Sequence, residues 1–327
     1  MGDFPPPITP EHSALPPETL WQKMFFGPNG MRAGWRLLIF GAVVITLASI
    51  QRSILRGFLQ RNPAIDSFTP GFLLVGEGAV FAIFLLAGWI MSKVEGRAVA
   101  DYGLPWRGAF RLRFWQGVGT GFVSISALIG VLWAAGVFHF GTFALRRADA
   151  WKYALLWGIA FLAVALFEEF CFRGYSLFTL STGVGFWPAA AVLSLLFGYV
   201  HHGNSGESWL GAFAAGIVGL LFCLLLRRTG DLWMPIGFHA AWDWGETYFY
   251  SVPDSGLVAP GHLLNSTLAG PRWLSGGSVG PEASWLCLLL LVFLWCIFAT
   301  WLREVKYPNP AAVQDPRRIP FEALKMT

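Results

Sequence analysis

The sequence predicts an all-α protein, a polytopic transmembrane helical bundle of about eight spans with a polar cavity inside it. Three observations predict this. Hydrophobic residues make up 55% of the 327 residues and charged residues only 13%, with a mean hydropathy of +0.54; a soluble domain carries about 25% charged residues. Apolar runs of roughly twenty residues recur along the chain, each long enough to cross a bilayer as a helix. The few ionisable residues within these runs collect in three places rather than scattering. Helices are the expected element, because an open strand leaves its backbone groups unpaired in lipid.

The first thirty residues hold "PPP", "LPP" and "GPNG" and read as a flexible tail without a cleavable signal peptide. Eight apolar segments follow, at 33–50, 72–91, 114–140, 153–180, 186–202, 209–226, 232–250 and 283–301. Arg36 and Gln51 crowd the first. In the third, "GVGTGF" reads as glycine for close helix packing rather than as a phosphate loop. The fourth stays helical through its polar cluster only if that cluster is buried in protein. The seventh is short and starts just after "RRTGDLW". The connection 251–282 is the longest, rich in Gly, Pro and Ser, and is expected to lie outside the membrane. The division is a tail at 1–30, a membrane domain at 31–304 with its motif core at 150–250, and a polar tail at 305–327.

Lys and Arg favour alternate loops, beginning with the N-terminal tail and including the connection near 92–113 and the C-terminal tail. That bias predicts cytoplasmic termini. The net charge of +4 is modest and no compact basic patch suggests nucleic acid. Some of the seventeen Trp residues suit interfacial belts. Cys171, Cys223, Cys287 and Cys296 stand singly in apolar segments, which reads as buried free thiols.

An ionisable side chain at the bilayer centre costs at least about 2.5–3.5 kcal/mol, so each buried cluster needs a reason. In "EEFCFR", Glu169 and Arg173 are four apart and share a helix face. Glu168 is turned about 100° away and lacks a local partner, which suits a general base. In "FGYVHHGNSGES", His201 and His202 close the fifth segment, and periodicity does not decide which points inward. In "GFHAAWDW", His239 and Asp243 are four apart, with Pro235 just upstream at the helix start. Each cluster alone also suits a structural role: an ion pair, an interfacial histidine pair, a local hydrogen bond. Together they suit a hydrolytic centre, in which Glu168 draws a proton from water. They equally suit a zinc site with Glu168, His201 and His239 as ligands, or a proton relay in a transporter. Glu77, in "VGEGAV", reads as interfacial or packed against glycine.

The three clusters resemble the signature of the CAAX protease and bacteriocin-processing family, also called Abi: EExxxR, FxxxH, then HxxxN or HxxxD on successive membrane helices. Here these are Glu168, Glu169 and Arg173; Phe197 and His201; His239 and Asp243. "ADYGLPW" at 100–106 looks like the short Gly-Leu element that precedes the core in many bacterial members. The resemblance implies an intramembrane endopeptidase without a required cofactor, zinc remaining open. Glu168 would activate water with His201, His239 and residue 243 would stabilise the oxyanion, and Glu169 and Arg173 would support them. The CAAX-processing branch has Asn where this chain has Asp243. The partners implied are the bilayer and a peptide or protein substrate, lipid-modified tails included; the Abi-like pattern suggests a bacterial cytoplasmic membrane, with the cavity open to the cytoplasm or the adjoining leaflet. A proton-coupled transporter or a non-catalytic peptide-binding scaffold is the alternative.

Overall fold

The computed structural model describes residues 19–27, 30–61, 69–204, 206–254, 256 and 259–308. Each of the eight apolar segments is helical over most of its length, and among the described residues five helices are long and apolar enough to cross a membrane. The expected tails lie largely outside the described residues, but their described parts differ from a flexible chain. Residues Leu20–Phe25 form α1, closed by a capping box between Thr19 and Gln22, and β1 (Phe26–Gly27) pairs with β2 (Gly30–Met31). At the other end Tyr307 is buried, and its ring packs on Phe178 and Phe186.

Helix α2 (Ala33–Arg61) carries the weak first segment. Arg36 is tolerated there because it is buried against Glu95, 3.1 Å away, and also bonds Thr182. Helix α3 (Pro70–Val94) starts where Thr69 accepts the Phe72 amide, with Pro at the first position, which needs no amide donor. The element 100–106 then turns through Gly103, at φ +88. Its carbonyls hold the start of a later helix: Gly103 O accepts Leu232 N–H at 2.8 Å, and Pro105 O accepts the Trp233 indole at 2.9 Å.

Helix α4 (Leu112–Ala134) ends earlier than expected. Gly136, at φ +72, breaks it, and Phe138–His139 form β3 instead. Helix α5 (Arg147–Glu169) runs into a π-helical turn, Phe170–Tyr175, and on into α6 (Ser176–Val184). Gly185, at φ +87, folds the chain back into α7 (Phe186–His201). Helix α8 (Trp209–Thr229) is central, its residues Leu221 to Leu226 all buried. Helix α9 (Trp233–Asp243) runs into a second π-helical turn, Trp244–Phe249.

The connection after residue 250 packs onto the bundle as a cap. It contributes β4 (Thr267–Leu268), antiparallel to β3, and α10 (Arg272–Ser275). Pro260 O accepts the Trp157 indole at 3.2 Å, which ties the cap to α5. Helix α11 (Trp285–Trp301) closes the bundle, its amino end capped by Ser284. Of the four free thiols, Cys223 and Cys287 are buried and Cys171 is half-buried. Cys296 is exposed on the side of α11, which corrects the expectation of four buried thiols.

The bundle has two distinct ends. At one, Phe186 starts α7 beside Tyr307, and Tyr175 donates to Glu95 at 2.6 Å. At the other, α7 ends at His201 near the cap. Sixteen helical residues separate them by about 24 Å.

Candidate active site

The three motif helices meet at the cap end. Glu168 lies as far before Gly185 as His201 lies after it, within one residue. The α6–α7 reversal therefore brings a mid-segment acid level with a histidine at a helix end. His239 is delivered by α9, which packs along α4. That packing is close because it is built on glycine. A Cβ at Gly117 would run into the Met234 carbonyl, at Gly121 into the Phe238 carbonyl, and at Gly237 into the Phe114 carbonyl. Small residues let helix backbones approach in this way.

Both imidazoles aim at one carboxylate oxygen. His201 Nε2 and His239 Nε2 each lie 3.8 Å from Glu168 Oε2. That is too long for a direct hydrogen bond and suits a bridging water. His201 Nδ1 is 2.9 Å from Phe197 O, so Nδ1 carries the proton and donates, leaving the Nε2 lone pair toward Glu168. His239 Nδ1 donates to Glu169 Oε1 at 2.9 Å, and its Nε2 also lies 3.4 Å from Asp243 Oδ2. His202, by contrast, stacks on Trp209 with ring centroids 3.8 Å apart. His201 is the cavity histidine.

Glu169 and Arg173 form the floor. Their side chains are 0% and 1% exposed, and Arg173 Nη1 lies 3.2 Å from Glu169 Oε1. Arg173 also stacks on Phe197, 4.2 Å from its centroid, so the FxxxH phenylalanine braces the EExxxR arginine. Gly219 leaves the room: a Cβ there would strike the guanidinium. The π-helical turn begins right after Glu169, and the other right after Asp243. Such turns cluster at functional sites because they re-aim side chains within a helix.

The cavity around these groups holds about 360 Å³. Glu168, His201, His239 and Asp243 line it. Sequence reasoning missed four more lining groups: Glu77, Asn204, Asp254 and Glu282. Glu77, read as interfacial, faces this cavity; a lone acid in an apolar span was its signal. Asp254 and Glu282 come from the cap, where an acid among polar residues gives no signal at all.

The zinc alternative fits poorly. Donors sharing a tetrahedral zinc lie about 3.3 Å apart, whereas Glu168 Oε2 is 3.8 Å from each imidazole. Among the described residues no group of three or more His, Cys, Asp or Glu is arranged to hold a metal ion.

No curated protein and no solved structure matches the chain. Residues 150–245 match the Rce1-like family, described as type II CAAX prenyl endopeptidase Rce1-like. That span begins within α5 and ends two residues past Asp243, so it holds all three motifs and the helices that bring them together. This core is therefore similar to that of the type II CAAX prenyl endopeptidase Rce1-like family.

Proposed function

We propose that the protein hydrolyses a peptide bond at the membrane with a water activated by Glu168. The observation that carries this is the shared 3.8 Å approach of two imidazole Nε2 atoms to one Glu168 oxygen. Glu168 takes a proton from water held by the His201 lone pair. The hydroxide adds to the scissile carbonyl carbon. The tetrahedral intermediate collapses as the C–N bond breaks, and Glu168 returns its proton to the leaving amine. His239, held through Nδ1 by Glu169, presents Nε2 to the same space and, protonated there, donates to the oxyanion. An ionised Asp243 would repel that oxyanion. Its 3.4 Å approach to His239 supports an orienting role instead. Glu169 and Arg173 act as positioning residues.

Both termini are proposed to be cytoplasmic, from the bias of Lys and Arg. On that reading His201 and the cap lie toward the other face of the membrane, because His201 ends α7 and Tyr307 packs at its start. The charge bias supports this orientation over one with a cytoplasmic cavity.

The test is Glu168→Gln in purified protein. Cleavage of a susceptible peptide should fall at least about a hundredfold, while thermal unfolding in detergent stays as in the parent. Undiminished turnover rejects the assigned base. Proton flux into liposomes that this substitution abolishes, with no cleavage by the parent, would favour a transporter.

A further inference from the structure

The cavity lining is apolar and acidic. Leu73, Phe161, Val164, Ala214, Val218 and Leu291 supply apolar surface. Glu77, Glu168, Asp243, Asp254 and Glu282 supply carboxyl groups, and among the described lining residues there is no Lys or Arg. Arg173, the guanidinium of the motif, is spent on Glu169 beneath the floor.

Behind Glu282 stands Glu246, 0% exposed. A single donor serves both acids: Trp242 Nε1 lies 2.9 Å from Glu246 Oε2 and 2.9 Å from Glu282 Oε1. The other oxygen of Glu246 is buried without a hydrogen-bond partner. Asp254 receives one bond, from the Thr247 hydroxyl at 2.8 Å. Three carboxyl groups thus converge with one N–H and one O–H between them. Carboxylates crowded away from water repel one another and call for a positive partner. His201 and His239 are already directed at Glu168, Glu169 and Asp243.

We propose that the substrate supplies that partner: the cavity binds a peptide with a Lys or Arg side chain seated between Asp254 and Glu282, and a neighbouring apolar residue against the apolar part of the lining. The same lining disfavours a segment that ends in a free carboxylate inside the cavity. Cleavage of this peptide rests on the endopeptidase reading above; its binding does not. Burial, with Asp254 and Glu207 nearby, pushes the Glu282 carboxyl up to about 8, as expected of an acid lacking a counter-charge.

The experiment uses the full chain in detergent and three fluorescent apolar peptides, identical except for one position carrying Lys, Gln or Glu. Binding to the Glu168→Gln variant is read by anisotropy, and cleavage by the parent protein separately. The Lys peptide should bind at least about tenfold more tightly than the Gln peptide, and Glu282→Gln should erase most of that preference. If Glu282→Gln does not fold, Asp254→Asn replaces it, since an amide oxygen can still accept from Thr247. Equal binding of the three peptides, or preference for the Glu peptide, overturns the proposal. So does stoichiometric calcium binding that displaces the Lys peptide, which would make the cluster a metal site. Charge-selective binding without cleavage of any peptide supports this proposal and retires the endopeptidase reading.

Discussion

Glu169 Oε1 lies 2.9 Å from His239 Nδ1, so a buried carboxylate on one helix sets the ring orientation of a histidine on another. The same oxygen takes the Arg173 guanidinium at 3.2 Å. The adjacent acids of "EEFCFR" thereby sit in different surroundings. Glu169 is sealed in the floor, while Glu168 keeps about a fifth of its side chain exposed at the cavity; in the proposed mechanism the first positions and the second activates water.

Arg173→Ala should destabilise more than Glu168→Gln. It leaves Glu169 buried without its counter-charge, and breaking one side of a buried pair costs about 3–5 kcal/mol. Glu168→Gln leaves a polar group at a hydrated wall and costs little. Thermal unfolding of the two variants in detergent makes the comparison. Equal shifts would show that the pair does not hold the floor together.

The helices were legible in the sequence because lipid leaves the backbone few choices. The motif clusters were legible because a buried charge must be explained. The level meeting of Glu168 and His201 was not, since segment positions alone put one mid-membrane and the other at an edge. The reversal at Gly185 and the π-helical turn after Glu169 reconcile them. Periodicity does not report a π-helical turn; Gly174, with ψ −117 inside it, is the residue that permits the departure. The order of the cap was not legible because it comes from long-range partners. Ala144 N–H bonds Leu263 O at 2.9 Å, a pairing between segments remote in sequence.

Gly121→Ala should lower both stability and activity, whereas Gly119→Ala should lower neither. Both lie in α4, two residues apart. A methyl at Gly121 meets the Phe238 carbonyl and must push α9, and with it His239, away from α4. Overpacking of this kind costs about 1–3 kcal/mol. A methyl at Gly119 meets nothing within 4 Å, so only the gain in helix propensity remains, up to about 1 kcal/mol. Unfolding temperatures and peptide turnover of the two variants decide it; matched losses would mean that the glycine contact does not position the site.

The direction of the cavity can be read without any assay of activity. Ala98 and Thr267 are exposed and stand at opposite ends of α4. With the exposed Cys296 replaced by serine, Thr267→Cys should react with a membrane-impermeant maleimide on intact cells. Ala98→Cys should react only after permeabilisation. The reverse pattern would place the termini outside and turn the cavity to the cytoplasm.

Binding of the Lys peptide should strengthen as pH rises, and Glu282 sets where. This carboxyl lies in the cap, outside the spanning helices. Burial raises it most, then Asp254 and Glu207, while the Trp242 indole and His239 act the other way, leaving it at about 8. Glu246 also faces it through the shared indole. Below that pH Glu282 is neutral and offers a cation little; above it the group is ionised, while a lysine side chain stays protonated to about pH 10.4. Asp254 is raised too, chiefly by burial, so the change is broad. Anisotropy titrations of the Glu168→Gln variant between about pH 6 and 9 should show affinity climbing with a midpoint near 8, and no such climb for the Gln peptide. The added substitution Glu282→Gln should flatten the Lys curve. Affinity that falls with pH, or an unchanged slope without the Glu282 carboxylate, would remove this residue from the site.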